Sequence, residues 1–415
     1  MGGYAEVRIC FTILSLFFFY IVSANTILVG PTHACKKITV ALNIASAGDT
    51  ILVEAGVYKE QNLVINKSIV LKGINFPVLD GEKKYQIISI KANAVVVEGF
   101  KIVHSGISSL EDLSGIKIYG NRDVVIKNNK LEDTFFGIFT ENVLNCTIEN
   151  NQLTAFSKEE QQSGNGIHCW KSDSMRIIGN TITGHRDGIY FEFVKNSVIW
   201  RNTSKDNIRY GLHFMFSNDD SYICNIFSNN GSGVSVMFSN RIKMFNNFFE
   251  ENWGDASHGI LLKEISDGYM QGNYFAKNTS AIFMEGASRI FMKYNTFENN
   301  GWALKIQASC MDVVLEKNNF IGNTFDVGTN GSLVQNTINN NYWDKYVGYD
   351  LNKDNIGDIP YRPVSMYSMI VEKYPSAMIL FRSFITSLLD KTEKIIPSLT
   401  PENLKDNRPM MKKAY

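Results

Sequence analysis

A two-residue motif, a small residue followed by an apolar one, recurs through the middle of this 415-residue chain at intervals of 22 to 29 residues. Its copies begin at Gly115, Gly137, Gly166, Gly188, Gly211, Gly233, Gly259, Ala281 and Ala303. In eight of these nine units an Asn stands 14 residues after the motif. This pattern is typical of a solenoid, in which each coil buries its apolar face only against neighbouring coils. The repeat therefore predicts an all-β fold, a right-handed parallel β-helix.

The segments on either side of the repeats have different patterns. Residues 1–24 are typical of a secretory signal peptide, with Arg8 before an apolar run from Ile9 to Val22. The run is shorter than the ~20 residues that span a bilayer, so an uncleaved anchor is the weaker alternative. We expect an N-terminal cap with a short amphipathic helix at 25–49, coils at 50–335, a terminal loop rich in Trp and Asp at 336–365, and a C-terminal amphipathic helix with a partner-docking tail at 366–415. The chain is expected to be exported.

The charge and cysteine content limit the possible functions. The chain carries 41 basic and 41 acidic side chains, so it offers no excess positive charge for nucleic acid. Five cysteines remain after residue 24, namely Cys35, Cys146, Cys169, Cys224 and Cys310. An odd number of widely spaced cysteines does not indicate a disulfide framework. Cys169 falls at an inward position of the repeat and is predicted to be a buried thiol.

Side chains two and four positions after each small residue are predicted to point outward from the solenoid, because strand residues alternate between faces. These outward pairs are Lys117/Tyr119, Phe139/Glu141, His168/Trp170, Tyr190/Glu192, His213/Met215, Ser235/Met237, Leu261/Lys263, Phe283/Glu285 and Lys305/Gln307. The middle of this series forms an aromatic and apolar stripe of the kind that marks an interaction site. We expect His168, Trp170, Tyr190 and Glu192 to contact a partner.

Three residues of this stripe are candidate copper ligands. Met215 and Met237 are predicted to stack in adjacent coils, with His213 two residues from Met215 on the same strand. Thioether and imidazole groups are ligands that suit Cu(I). The alternative is a plain protein-contact surface in which methionine provides adaptable contact area. Both interpretations treat the stripe as a binding surface and not as an active site.

An enzymatic alternative is a β-helix that binds or cleaves acidic polysaccharides. Glu141 and Glu192 flank Trp170 on the stripe, and the segments 184–187, 219–220 and 241–243 partly match polygalacturonase motifs. Their order along the chain does not match that family, and they are predicted to lie on different faces. The sequence therefore favours a binding protein over an enzyme.

The terminal loop contains a pattern of oxygen ligands. Asp350, Asn352, Asp354 and Asp358 stand at positions 1, 3, 5 and 9 of a calcium-type loop. The loop departs from an EF-hand because Asn355 replaces the usual Gly and Tyr361 replaces the usual Glu. Calcium is thus a second expected ligand, and a polar turn without metal is the alternative.

The C-terminal segment has apolar residues at helical spacing between Pro375 and Leu389, namely Phe381, Phe384, Ile385, Leu388 and Leu389. This helix would pack on the solenoid, lie on a membrane surface, or dock to a membrane protein. The polar tail from Pro397 to Tyr415 is expected to extend along a partner or to stay mobile.

Several segments resemble the NosD family of periplasmic proteins that serve the maturation of nitrous oxide reductase. They are Asp187–Glu192, Arg209–Ser217, Gly233–Ser239, Gly259–Lys263, Asn341–Trp343 with its Asp-rich loop, and the tail from Leu399 to Met410. The resemblance implies a non-enzymatic scaffold that is peripheral to the inner membrane and assists assembly of the reductase's copper centres. It implies transient Cu(I) and three partners: an ABC transporter permease, a copper-chaperone lipoprotein and apo-nitrous oxide reductase. It also identifies the C-terminal helix as the permease-docking element.

Overall fold

The computed structural model describes residues 24–108, 110–331, 335–396, 400 and 404–414. The predicted signal peptide lies almost entirely outside the described residues. The described chain contains helices α1 (Ile38–Ile44), α2 (Met366–Lys373) and α3 (Phe384–Ile395), and 3-10 helices at Glu160–Gln162 and Pro375–Leu380. None of its helices is long and apolar enough to span a bilayer.

The strands of the first coils are β1 (Thr26–Val29), β2 (Thr50–Val53), β3 (Val57–Tyr58), β4 (Leu63–Ile65), β5 (Val70–Gly73), β6 (Val78–Asp80), β7 (Ile88–Ile90), β8 (Val96–Glu98), β9 (Lys101–Val103), β10 (Ser114–Tyr119), β11 (Val125–Lys127), β12 (Lys130–Glu132), β13 (Phe136–Glu141), β14 (Thr147–Glu149) and β15 (Gln152–Thr154). The central strands are β16 (Ile167–Trp170), β17 (Arg176–Ile178), β18 (Thr181–Thr183), β19 (Asp187–Glu192), β20 (Val198–Trp200), β21 (Thr203–Lys205), β22 (Tyr210–Met215), β23 (Ser221–Ile223), β24 (Ile226–Ser228), β25 (Ser232–Met237), β26 (Lys243–Phe245) and β27 (Phe248–Glu250). The last strands are β28 (His258–Lys263), β29 (Ser266–Gln271), β30 (Tyr274–Ala276), β31 (Ser280–Glu285), β32 (Ser288–Lys293), β33 (Thr296–Glu298), β34 (Trp302–Ile306), β35 (Met311–Glu316), β36 (Asn319–Ile321), β37 (Phe325–Gly328), β38 (Thr337–Asn339) and β39 (Tyr342–Trp343).

These strands form three parallel sheets that run along the solenoid, with 14, 12 and 13 strands in the described residues. From β2 onward, each strand pairs with the strand three places further along the chain, so one coil contributes one strand to each sheet. The repeat motif opens the strands of the 12-stranded sheet, from β10 to β34. The predicted parallel β-helix is confirmed.

The solenoid begins earlier than the sequence suggested. β1 lies in the segment assigned to the N-terminal cap, yet it pairs with β2 and forms the first strand of the 14-stranded sheet. The expected helix is present as α1, and its residues Ile38, Ala41 and Leu42 are buried against the first coil. The cap therefore consists of α1 alone, because β1 already has the hydrogen-bonding register of a coil.

A ladder of buried asparagines runs along one turn of the solenoid. Each ladder Asn donates its backbone N–H and its Nδ2 to the Oδ1 of the Asn in the next coil, at 2.8–3.1 Å. The members are Asn129, Asn151, Asn180, Asn202, Asn225, Asn247, Asn273, Asn295, Asn318 and Asn341. The amides satisfy buried backbone groups at a bend where strand pairing is interrupted.

The ladder ends on the C-terminal tail. Asp406 is fully buried, and its carboxylate accepts hydrogen bonds from the backbone N–H and Nδ2 of Asn341 and from Nε1 of Trp343 at 2.9–3.1 Å. The tail was expected to extend along a partner or stay mobile, and for residues 404–414 this is wrong. Asp406 and Met410 also form backbone bridges with the terminal loop and the last coil, because the open end of the ladder leaves donors that require an acceptor.

The core is a continuous apolar column between the three sheets. Inside it, aromatic rings from successive coils stack at centroid distances of 4.0–5.5 Å, in the order Phe227, Phe249, Phe275, Phe297, Phe320 and Trp343. Cys169 is fully buried, as predicted, and burial raises the pKa of its thiol to about 12.

A carboxyl group also lies in the interior. Asp220 is fully buried, and one of its oxygens accepts the backbone N–H of Ser197 at 2.8 Å. Its second oxygen has no hydrogen-bond partner among the described residues. Burial raises the pKa of Asp220 well above its usual value. Because the folded-state pKa is above the unfolded one, folding becomes less favourable as pH rises past the unfolded pKa of about 4.

Replacing Asp220 by Asn is therefore expected to raise the free energy of unfolding at pH 7 and to change it much less at pH 4. Urea unfolding at both pH values measures this difference. Asp219→Asn is the matched control, since Arg241 holds the pKa of the exposed Asp219 below its usual value and that variant should lose stability at pH 7. A loss of stability at pH 7 in Asp220→Asn would contradict the expectation.

Candidate functional site

The predicted stripe lies on the outer face of the 12-stranded sheet. In β22, Leu212 and Phe214 are fully buried in the core, while His213 and Met215 occupy the outward positions between and after them. Strand pairing places Tyr190, His213 and Ser235 in one column that runs across neighbouring coils. Outward residues from separate coils thus form one continuous surface.

The two candidate methionine ligands occupy paired positions. Met215 in β22 is in register with Met237 in β25, and both side chains are half-buried. Adjacent parallel strands lie ~4.8 Å apart, so the two thioethers lie within reach of one small ion. The pair lies at the end of the strands, where the chain enters the next turn.

His213 is outward but not exposed, and its predicted exposure is wrong. The side chain is 5% exposed, because the rings of Tyr190 and Tyr210 pack against it at centroid distances of 4.9 and 4.8 Å. Neither Nδ1 nor Nε2 of His213 has a hydrogen-bond partner among the described residues. Ser235 and Phe139 of the same column are also buried. The imidazole is therefore almost completely shielded from solvent, and neither of its nitrogen atoms is hydrogen-bonded to the described residues.

A buried carboxylate, which the sequence marked only within the segments 184–187 and Asp187–Glu192 and not as a neighbour of the imidazole, lies beside His213. Asp187 is 1% exposed, and its Oδ2 is 3.8 Å from Nδ1 of His213 and 3.8 Å from Nε of Arg186. Its Oδ1 lies 3.8 Å from Nε of Arg209, which pairs with Glu160 at 3.2 Å. Glu160 belongs to the insertion in the 29-residue unit, so the insertion packs next to Arg209 and Asp187. The one available signal was an acidic residue directly before the repeat glycine, at the start of β19.

The predicted partner-binding residues form the upstream half of the stripe. The rings of Phe139, His168, Tyr190 and His213 follow one another at centroid distances of 4.4, 4.7 and 4.9 Å. Burial, with the nearby charges of Arg186 and Lys117, lowers the pKa of His168 to about 3, so it is neutral at pH 7. Trp170 and Glu192 occupy paired outward positions and are half-buried. The stripe is a packed, mostly uncharged platform.

The donors at this site suit a soft cation better than a hard one. In the described part of the chain, no three His, Cys, Asp or Glu side chains converge so that they could hold a metal ion. A metal at the stripe would therefore need the Met215 and Met237 thioethers beside the His213 imidazole. Thioethers select Cu(I) over hard divalent ions, and the free imidazole nitrogens of His213 fit the same ion.

The Asp-rich loop uses its side-chain oxygens within its own turn. Asp350 accepts the backbone N–H groups of Asp354 and Asn355 at 3.2 and 2.9 Å. Asp358 accepts that of Leu351 at 2.8 Å, and Asn352 also accepts that of Asp354. These bonds match the polar-turn alternative, while calcium binding remains a prediction.

The predicted C-terminal helix differs from the structure at one position. Phe381 lies before α3, at the end of the 3-10 helix, because the N-cap Ser383 starts α3 by accepting the backbone N–H of Thr386. Leu389 and Thr386 face the last coils, while Phe384, Ile385 and Leu388 are 81, 52 and 51% exposed. The preceding helix α2 contacts the outer face of β34 through an ion pair of 2.7 Å between Glu372 of α2 and Lys305 of β34.

The polysaccharide motifs do not assemble. Asp220 is in the core and cannot reach a substrate, and Asp219 is paired with Arg241 at 2.5 Å on the surface. Asp187 lies on the stripe, in another sheet from these residues. The geometry of these segments gives no support to the enzymatic alternative.

The fold places the chain among parallel β-helix proteins. The family model described as "Right handed beta helix region" matches residues 43–182. A solved tailspike protein, Dettilon gp208, shares the fold at 15% identity over 66% of this chain and 62% of its own, with a TM-score of 0.55. The catalytic unit of an alpha-1,3-glucanase from Streptomyces thermodiastaticus does so at 11% identity over 74% of this chain and 65% of its own, with a TM-score of 0.59.

The family model described as "Periplasmic copper-binding protein (NosD)" matches residues 154–355, about half of the chain. It is 26% identical to the probable ABC transporter binding protein NosD of Stutzerimonas stutzeri, over 86% of each chain. It is 25% identical to the protein of the same name from Pseudomonas aeruginosa, over 85% of this chain and 86% of that one. The resemblance found in the sequence is confirmed, and both relatives are named as binding proteins and not as enzymes. The matched domain contains the stripe and most of the Asp-rich loop.

Proposed function

We propose that this chain is a periplasmic scaffold that handles Cu(I) during assembly of the copper centres of nitrous oxide reductase, in association with an ABC transporter. One observation carries the proposal: Met215 and Met237 occupy paired positions, and His213, two residues before Met215 on the same strand, is buried with neither ring nitrogen hydrogen-bonded among the described residues. Copper is the cargo of this site. The description of the matched family and the names of the relatives support the copper and transporter assignments.

The chemistry of the stripe suits transient binding. Two thioethers and one imidazole carry no negative charge, so they hold Cu(I) less tightly than thiolates would and can release it to a partner. Four of the five described cysteines, Cys35, Cys146, Cys169 and Cys310, are buried, and the half-buried Cys224 follows β23 of a different sheet, so none of them is part of this site. We expect a copper-chaperone lipoprotein to supply the ion and the apo-reductase to receive it.

The transporter is expected to bind elsewhere on the chain. Phe384, Ile385 and Leu388 form an exposed apolar patch in the first turns of α3, and the exposed Lys391 follows one turn further along the same face. Such a patch suits the apolar surface of a permease at the membrane. This docking would place the chain peripheral to the inner membrane.

Titration of Cu(I) into the full chain, in competition with a chromophoric chelator, tests the copper site. The variant His213→Phe, Met215→Leu and Met237→Leu keeps the packing volume but removes all three donors, so Cu(I) affinity is expected to fall at least about tenfold. Met311→Leu with Met369→Leu is the control, because these exposed methionines lie away from the stripe.

The same variants test the cellular role. Reductase purified from cells with the three-donor variant is expected to contain much less copper than reductase from cells with the control. Equal Cu(I) affinity in the two variants would refute the ligand assignment. Normal copper content in the reductase would refute the maturation role.

A further inference from the structure

Three phenylalanines follow the strands of the stripe in consecutive coils. Phe193, Phe216 and Phe238 occupy the same turn position, and the last two come directly after Met215 and Met237. They are 46, 40 and 40% exposed, and their rings stack in parallel with centroids 5.1 Å apart at both steps. We call these three residues the phenylalanine ridge.

The backbone at this position does not favour a bulky side chain. The three phenylalanines have φ angles of 54, 51 and 52°, in the left-handed region. At the equivalent turn position the adjacent coils carry the polar residues Lys171 and Glu264, and coils further away on each side carry Gly120 and Gly286, which adopt this conformation without a steric cost. Glycine would also expose no apolar surface. Stability alone therefore does not account for three adjacent exposed rings, and exposed apolar patches of this kind mark interaction sites.

The stacking decides which chemical groups the ridge can receive. Neighbouring rings are tilted by only 9 and 13°, so their faces cover one another and their edges point outward. A cation binds over a ring face, and both faces of Phe216 and one face each of Phe193 and Phe238 are covered by neighbouring rings. Thioether sulfur contacts an aromatic ring at about 5 Å and often at its edge, so methionine is a fitting partner for this surface.

Two ion pairs lie beside the ridge, and the same turn position in the coils before and after it carries Lys171 and Glu264, whose charges are opposite. Asp219 pairs with Arg241 at 2.5 Å, and Lys195 pairs with Asp173 at 3.4 Å. The rim therefore presents little net charge to attract a polyanion or a charged membrane surface. An uncharged apolar protein surface is complementary to it.

We propose that the phenylalanine ridge is the docking surface for the protein that exchanges copper with Met215 and Met237, and that this protein contacts the ridge through methionine and other apolar side chains. The inference rests on the proposed copper function, because its main argument is that the ridge directly adjoins the candidate copper ligands. A partner that reaches the methionine pair must also cover the ridge, since each ridge residue at 216 and 238 is the chain neighbour of a candidate ligand.

The test uses the full chain and the purified, lipid-free copper-chaperone lipoprotein in its Cu(I) form, with 13C-methyl-labelled methionine. Phe193→Gly, Phe216→Gly and Phe238→Gly together remove the ridge and also relieve the left-handed backbone, so the fold should be retained. Binding of the lipoprotein is expected to weaken at least about tenfold, and the methionine methyl shifts seen with the wild type should disappear. The control is Phe248→Ser with Phe291→Ser, which are 43 and 48% exposed in the other two sheets.

Cu(I) titration of the three-glycine variant separates this inference from the copper assignment. The ridge holds no copper ligand, so the variant should bind Cu(I) as the wild type does while it fails to bind the lipoprotein. Three results would overturn the ridge proposal: equal lipoprotein binding by the variant, no binding by the wild type, or a ridge that instead mediates self-association or binding to anionic vesicles. After either of the first two results, the copper site of Met215 and Met237 would still be supported if both proteins bind Cu(I) in the titration.

Discussion

Replacing Asp406 by Ala is expected to destabilise the C-terminal coils by about 4 kcal/mol, because several buried donors would lose a charged acceptor. The carboxylate accepts the backbone N–H groups of Asn340 and Asn341, the Nδ2 of Asn341, the Nε1 of Trp343 and the backbone N–H of Arg408. Urea unfolding followed by the fluorescence of Trp343 and by amide hydrogen exchange at residues 340–343 measures the loss. In a solenoid, coils far from the end should keep their protection, since each coil contacts only its neighbours.

Two further variants define the result. Lys405→Ala changes the adjacent tail residue without removing the acceptor, so it should leave exchange at residues 340–343 unchanged. Asp406→Asn keeps one oxygen acceptor but places an amide NH2 group beside other donors. Its loss of stability should therefore lie between that of Asp406→Ala and that of Lys405→Ala. If the amide of Asn341 exchanges as slowly in Asp406→Ala as in the wild type, the tail does not stabilise the end of the asparagine ladder.

Replacing Phe384, Ile385 and Leu388 of α3 by Ser is expected to reduce binding to the transporter permease by at least about tenfold, with little change in folding stability. The three side chains are more than half exposed, so their apolar area is available to a partner and contributes little to the core. Loss of buried apolar anchors is the change that weakens protein interfaces most. Binding of the full chain to the detergent-purified permease and ATPase complex measures the effect.

A matched control for α3 lies in the Asp-rich loop. Val347 and Leu351 are each 78% exposed, and their replacement by Ser removes apolar surface without changing α3. Equal permease binding by the α3 variant and this control would contradict permease docking through α3. Binding to protein-free liposomes that depends on α3 would instead assign the helix to the membrane surface.

The two candidate surfaces lie apart along the solenoid. Met237 is in β25, and α2 is fastened to Lys305 in β34, which is three coils further along. At ~4.8 Å per coil this separation is about 14 Å along the axis. A rigid stack of coils keeps the distance constant, so the proposed copper exchange and transporter binding can occur at the same time on one chain.

The sequence by itself determined the solenoid, because a parallel β-helix repeats the same local requirements in every coil. The period of 22 residues, the Asn of the ladder and the alternating inward residues are local signals that recur, and their repetition made the fold predictable. The pairing of Met215 with Met237 followed from the same register. For the same reason the outward stripe and the buried Cys169 were predictable residue by residue.

Only the tertiary structure decided what surrounds those residues. His213 is buried by Tyr190 and Tyr210, and the carboxylate of Asp187 lies beside it under an insertion from another coil. Asp406 reaches Asn341 across 65 residues of sequence. The contacts of Glu160 and Asp406 join segments outside the repeat to segments within it, so no periodic pattern encodes them, and they depend on how the insertion and the tail pack once the coils have stacked. The register places Tyr190 beside His213, but only the packing of the rings decides that the imidazole is buried.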